Sequence, residues 1–100
     1  MNSFADHMAA DRRQIMLRVL LTSMGYTSNT NTLQNMVGRL GYPTPMDRLH
    51  TDVAWLAEQG LVTSDDVAGL QVVKLTARGQ EVAEGVAVVP GVARPRAGEV

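Results

Sequence analysis

The stretch Leu33–Gly60, LQNMVGRLGYPTPMDRLHTDVAWLAEQG, decides the fold. Apolar residues recur at helical spacing on both sides of a four-residue connection, GYPT at 41–44, which begins with a helix-stopping glycine. Thr44 followed by Pro45 is typical of an N-cap and a first helical residue. Because two helices joined by a short, glycine-containing turn form a helix-turn-helix, we predict that arrangement here.

The spacing also predicts the buried side of each of these two helices. Asn31 with Gln34 is a cap pattern that should open the earlier helix. Its expected apolar stripe is Leu33, Met36, Val37 and Leu40. The stripe of the later helix, which should end at Gly60, is Leu49, Val53 and Leu56.

Further elements are predicted on either side of this pair. Ser3 with Asp6 resembles a capping box and should open a helix running to about Ser23, with Met8, Ile15, Val19 and Leu20 facing the core. Gly25 suits a left-handed position after that helix, and residues 26–30 read as a polar loop.

After Gly60 the pattern changes to strands. Leu61–Val62 and Leu70–Leu75 should pair, either across the tight turn Ala68–Gly69 or across a longer loop from Ser64. Thr76 should then cap a last helix ending near Glu84.

We therefore predict a mainly α fold with a small β-hairpin, an α+β winged helix-turn-helix, over residues 1–85. Residues 86–100 contain two prolines and should form an extended or disordered tail.

Composition excludes several functional classes. The chain has 100 residues, no cysteine and a net charge of −1, which fits one domain without disulfides or thiolate metal sites. No apolar run approaches the ~20 residues needed to span a bilayer, and no signal peptide is apparent, so we expect a cytoplasmic protein. His7 and His50 stand alone, without a nucleophile elbow or phosphate loop. We expect no enzyme activity, no cofactor and no metal.

Two resemblances support the predicted fold. Val53–Val62, VAWLAEQGLV, and Leu75–Gly79, LTARG, resemble the junctions that flank the wing in ArsR- and MarR-type regulators. Phe4–Arg13, Ala54–Thr63 and Val89–Pro95 are similar to a small protein family of Mu-like phages and prophages. These resemblances imply a phage-type winged-helix protein that acts in a bacterial cytoplasm, but a likeness of fold does not supply a mechanism.

DNA binding is the function we expect from this fold. In a helix-turn-helix, side chains near the start of the second helix meet base edges, which here are Asp47, Arg48, His50 and Thr51. Lys74 on the predicted hairpin is a further basic candidate. The charge of this region argues against strong binding. Residues 31–75 carry three basic and five acidic side chains, whereas most non-specific affinity for DNA comes from basic side chains that neutralise its phosphates. The alternative is a winged-helix module that binds protein, such as a phage accessory or assembly factor.

The first helix has more apolar residues than one buried stripe requires. Leu17, Leu21 and Met24 should therefore meet a partner, and we expect a homodimer. The competing explanation is that Val86, Val88 and Val89 of the tail cover this surplus within the same chain.

Trp55 lies off the buried stripe of its helix. Its ring should either fold over the second helix or the wing, or anchor an interface.

Overall fold

The computed structural model describes residues 3–96. Four helices surround one face of a three-stranded antiparallel sheet, so the α+β class is confirmed. The elements are α1 (Phe4–Thr22), a 3-10 turn (Met24–Tyr26), β1 (Thr27–Asn29), α2 (Thr30–Arg39), α3 (Met46–Glu58), β2 (Val62–Val67), β3 (Leu70–Leu75) and α4 (Ala77–Ala83).

Helix α1 begins and ends as its sequence predicts. The Ser3 hydroxyl accepts from the backbone N–H of Asp6, and the Asp6 carboxylate accepts from the backbone N–H of Ser3, each at 3.1 Å. This reciprocal capping box satisfies two donors that no helical carbonyl can reach. Beyond the helix, Gly25 adopts a left-handed φ of 67°, as expected.

The caps of α2 and α3 differ from the prediction. Asn29, and not Asn31, caps α2, because its side chain accepts from the backbone N–H of Thr32 at 2.8 Å. Pro45 is the N-cap of α3, whereas Thr44 donates its hydroxyl to the Tyr42 carbonyl at 2.7 Å. Thr44 thus stabilises the turn between the helices and leaves the cap of α3 without a side-chain acceptor.

The sheet contains one strand that the sequence pattern did not predict. Residues 27–29, expected as loop, form β1 and pair with β3, giving the strand order β1-β3-β2. The short turn predicted for the hairpin is confirmed: β2 and β3 join through Ala68 and Gly69, whose φ angles are 54° and 81°. Two positive φ values are typical of the turns whose twist matches that of the flanking strands.

The core collects one face of every helix and the inner face of the sheet. Leu17 is fully buried, so its predicted role in a partner interface is wrong. Met8, predicted to face the core, is exposed near the start of α1. The wide apolar face of α1 is used within the chain because α1 packs against α2, α4 and β3.

The C-terminal segment lies against the domain. Val92 is 7% exposed, the backbone N–H of Ala93 donates to the Ala10 carbonyl at 3.1 Å, and Val89 packs on the core. Of the two predictions for this segment, disorder is wrong for residues 86–96, which contact α1 of the same chain. Residues 97–100 lie outside the described residues.

Candidate functional site

A groove separates the hairpin from the starts of α2 and α3, and we call it the hairpin groove. Its volume is about 530 Å³. Thr30 and Asn31 of α2 and Met46 and His50 of α3 form one side. The other side is the tip of the hairpin, residues 64–66 and 69–71.

The strand register decides which hairpin side chains face α3. Directly opposed residues of an antiparallel pair point to the same side, and successive residues alternate. Ser64 opposes the buried Val73, and Asp66 opposes Gln71. These side chains therefore share the inner face of the sheet, where Gln71 Nε2 donates to Ser64 Oγ at 2.6 Å.

The groove is acidic. Asp65 and Asp66 line it and are exposed, and neither forms an ion pair among the described residues. Asp66 shares the inner face with Gln71, whereas Asp65 opposes Val72, so its side chain belongs to the outer face of the sheet at the rim of the groove. His50 faces them from α3, and within residues 3–96 no lysine or arginine lines the groove. Such a surface attracts cationic groups and repels phosphate.

The predicted DNA-reading residues of α3 are accessible but partly engaged. Asp47, Arg48 and Thr51 are all exposed. The Asp47 carboxylate accepts from the backbone N–H of Arg48 at 2.9 Å, and the Thr51 hydroxyl donates to the Asp47 carbonyl at 3.1 Å. Asp47 and Thr51 are thus engaged within the helix, whereas the exposed Arg48 side chain provides a cation on the first half of α3.

Lys74 is not brought to the groove. It lies between Thr27 and Thr63 in the sheet, next to the buried Val73, so its side chain belongs to the opposite face. Lys74 therefore does not share a surface with the candidate residues of α3, and its contact with DNA stays a prediction. Because side chains alternate along β3, the charge of Lys74 lies on the face of the sheet away from α3.

Asp52 has a structural role that the sequence analysis missed. Its side chain is 1% exposed, and both carboxylate oxygens accept from Arg12 of α1, through Nε to Oδ2 and through Nη2 to Oδ1 at 3.2 Å. Arg13 Nε lies 3.6 Å from Oδ1. The signal was present, because Asp52 falls three residues after Leu49 and four before Leu56, on the buried stripe.

Arg13 connects this buried charge to the C-terminal segment. Its guanidinium carbon lies 4.2 Å from the centroid of the Trp55 ring, a cation–π contact, and Nη1 donates to the Gly91 carbonyl at 3.0 Å. A Cβ on Gly91 would lie 2.7 Å from Trp55 Cζ2, so the glycine backbone rests on the ring. Trp55 therefore packs against α1 and the segment, and not over the second helix or the wing as expected. Because the ring is used within the chain, its predicted role as an interface anchor is wrong.

Two relatives place the chain in a family. Over 91 residues it is 43% identical to gp26 of Escherichia phage Mu, an uncharacterized protein, with 91% of this chain and 94% of gp26 covered. This chain belongs to the gp26 family. A Haemophilus influenzae protein, also uncharacterized, is 32% identical over 77 residues, 76% of this chain and 74% of that protein. No protein-family model matches the chain.

The predicted interface residues of this gp26-family chain fall into three environments. Leu17 is buried, whereas Leu21 and Val89 are half-buried and pack on the core. Met24, at 97%, and Val88 are exposed. The homodimer prediction therefore rests on these two exposed residues and has lost its main support, the surplus on α1.

The described residues were also searched for a metal site and for a membrane-spanning helix. Across residues 3–96, no three histidine, aspartate or glutamate side chains gather as metal ligands. No helix in that range combines the length and apolar character required to cross a membrane.

Proposed function

We propose that this gp26-family chain is a winged helix-turn-helix domain that binds a protein partner, without catalysis, in the bacterial cytoplasm. The order of elements supports the fold: a helix, a short strand, two helices joined by a tight turn, a hairpin and a last helix. In this arrangement α3 is the recognition helix and the β2–β3 hairpin is the wing.

The observation that carries the protein-binding role is the charge of the hairpin groove. Two exposed carboxylates, Asp66 on the inner face of the hairpin and Asp65 on its outer face, lie at the tip of the element that would meet phosphate in a DNA-binding winged helix. Asp52 does not add to this charge, because it is buried against Arg12. Equally, Arg12 is not available to nucleic acid. The partner that suits the groove is a protein segment rich in lysine or arginine.

DNA binding is the second candidate. Arg48 and Thr51 are exposed on the first half of α3, where a recognition helix contacts base edges. An arginine guanidinium can bind guanine through two hydrogen bonds. Its weakness is the missing phosphate contact, since base contacts alone position a protein poorly.

The two candidates differ in the ligand that binds α3 and the hairpin. We would titrate the ¹⁵N-labelled chain with a tetralysine peptide and, separately, with a mixed-sequence DNA duplex, at low and moderate salt. Protein binding predicts chemical-shift changes at His50, Asp65 and Asp66 with the peptide. DNA binding predicts changes centred on Arg48 with the duplex that persist at moderate salt.

A matched pair of variants shows whether the response is local. Asp65→Asn with Asp66→Asn should abolish the peptide response, because it removes the Asp66 carboxylate from the groove and the Asp65 carboxylate from its rim. Glu81→Gln with Glu84→Gln removes the same charge from the exposed side of α4 and should leave the response intact. An equal loss in both variants, or a response to the duplex alone, would overturn the protein-binding proposal.

A further inference from the structure

One edge of the sheet is open. Strand β2 lies at the margin of the order β1-β3-β2, so only one of its two sides is paired. Its six residues oppose β3 without interruption, and it contains neither a bulge nor a proline. Within the described chain, residues 63–67 make no backbone hydrogen bond except with β3. Such an edge presents backbone donors and acceptors to which a further strand can pair.

The hydrogen-bond pattern of the hairpin is fixed at both of its ends. Val67 and Leu70 close a two-residue turn, so they form a hydrogen-bonded pair. At the other end, the backbone N–H of Thr76 donates to the Leu61 carbonyl at 3.1 Å. Residues 61 and 67 are separated by an even number of positions, as the alternation of hydrogen-bonded and non-hydrogen-bonded pairs requires. The odd-numbered residues of β2 therefore pair with β3 through their backbone groups.

The even-numbered residues present their backbone groups to the open edge. Ser64 and Asp66 belong to non-hydrogen-bonded pairs, so their N–H and C=O groups point away from β3. Ser64 is half-buried and Asp66 is exposed, so a partner can reach them. Both residues thus offer a donor and an acceptor to an extended segment that lies along β2.

The charges of β2 select the occupant of this edge. Asp66 projects from the inner face of the sheet and Asp65 from the outer face. A second copy of β2 would bring further carboxylates to the same edge, and like charges opposite each other destabilise a strand pair. A strand with two consecutive basic residues instead places one cation on each face, next to one of the two carboxylates. The occupant that suits the edge is therefore a basic segment of another protein and not a second copy of this chain.

We propose that β2 accepts an extended segment of a partner protein as a fourth strand, and that this segment carries two consecutive lysine or arginine residues. The inference rests on the proposed function, because it states how the basic partner of the hairpin groove is held. Backbone hydrogen bonds to Ser64 and Asp66 hold the segment in register, and its two basic side chains pair with the carboxylates on the two faces. The basic side chain on the inner face lies beside Asp66, at the hairpin groove.

Amide hydrogen exchange of the ¹⁵N-labelled chain tests the backbone pairing. The probe is the acetylated and amidated peptide TVKKVT at saturating concentration. Exchange at the Ser64 and Asp66 amides should slow by at least about fivefold, as expected for a new hydrogen bond, because strand addition gives each amide an acceptor. The Asp65 amide already donates to β3 and is the internal control, whose exchange should be nearly unchanged.

Two N-methylated versions of the peptide separate strand pairing from charge attraction. Successive backbone N–H groups of a strand point to opposite edges, so methylation of both lysine amides blocks both edges. Methylation of the first lysine and the second valine amide blocks one edge, with the same charge and the same number of methyl groups. The first peptide should bind at least about fivefold more weakly than TVKKVT, and the second should bind like TVKKVT through its free edge.

Single substitutions test the requirement for two basic residues. Asp65→Asn and Asp66→Asn should each weaken the binding of TVKKVT by about two- to fivefold, because each removes one cross-strand charge pair. Glu81→Gln removes the same charge from the exposed side of α4 and should leave binding unchanged. A loss in only one of the two aspartate variants would overturn the requirement for consecutive basic residues.

The failure of strand addition can be distinguished from the failure of the proposed function. Chemical-shift changes at His50 and Asp66 without slower exchange at the Ser64 and Asp66 amides would overturn strand addition and leave the basic partner standing. Equal affinities of the two methylated peptides would do the same. The absence of any response to TVKKVT and to tetralysine would overturn both proposals.

Discussion

The aspartates on the two sides of α3 have opposite environments. On the side facing α1, Asp52 is buried and receives both hydrogen bonds from Arg12, with Arg13 close by. On the side facing the hairpin, the neighbouring carboxylates Asp65 and Asp66 are exposed and have no cation among the groove residues. A buried charge must be matched within the fold, whereas an exposed one is free to attract a partner. The contrast predicts a large effect on stability on one side and an effect on binding on the other.

The largest expected effect is at Asp52. Asp52→Ala leaves Arg12 without its carboxylate in a partly buried position and should lower the free energy of unfolding by about 3–5 kcal/mol. Urea denaturation followed by Trp55 fluorescence measures it. Asp47→Ala, on the exposed side of the same helix, is the control and should change stability by about 0.5 kcal/mol or less. Similar losses in both would remove the distinction between the two sides.

Removing the C-terminal segment should have the next largest effect. A chain ending at Gly85 loses the burial of Val92, which costs about 1.5–3 kcal/mol, and exposes Trp55. We expect red-shifted Trp55 fluorescence and, because apolar surface of α1 is uncovered, association during sedimentation. A chain ending at Arg96 keeps every described contact and serves as the control. Unchanged fluorescence and stability after the longer deletion would show that the segment does not pack on α1.

Neutralising the groove should barely change stability. Asp65→Asn with Asp66→Asn removes two exposed charges that have no partner in the described structure, so the free energy of unfolding should shift by no more than about 0.5 kcal/mol. Non-specific retention on DNA at low salt should increase, because two phosphate-repelling charges are gone. A large loss of stability would mean that these carboxylates are structural, like Asp52.

The smallest effect concerns the capping box at the start of α1. The backbone N–H of Ser3, followed by its hydroxyl, lowers the pKa of the Asp6 carboxyl. Because the folded pKa lies below the unfolded one, this stabilisation is present above the unfolded value, about 3.9, and is lost as pH falls through the folded value. An NMR titration of the Ser3 amide should show that loss. In Asp6→Asn the amide should no longer titrate with this carboxyl.

Much of the fold could be predicted from local sequence. The capping box of α1, the glycine after it, the turn at Ala68–Gly69 and the cap of α4 at Thr76 depend on residues within a few positions of one another. These features follow from backbone geometry and short-range hydrogen bonds, which a sequence window contains. The periodicity of α3 likewise predicted its buried residues Leu49, Val53 and Leu56.

The candidate surfaces were predicted less well, because exposure depends on distant neighbours. Helical spacing relative to the buried stripe predicted that His50 and Arg48 are accessible on α3, and both are exposed in the structure. It did not show that Lys74 would point away, since that depends on which face of the sheet the core covers. Leu17 appeared to be surplus because one helix stripe was counted, although α1 packs against several elements.

Sequence by itself determined the type and order of the helices, the hairpin and its turn, because spacing, caps and glycine positions act over short range. The tertiary structure alone decided the rest. Strand β1 exists because β3 offers it a partner more than forty positions later. Asp52 is structural because Arg12, forty residues earlier, meets it. Residues 86–96 are ordered because α1 and Trp55 provide a surface on which they pack. Each of these outcomes depends on contacts between distant residues, whose burial and pairing energies no local pattern encodes.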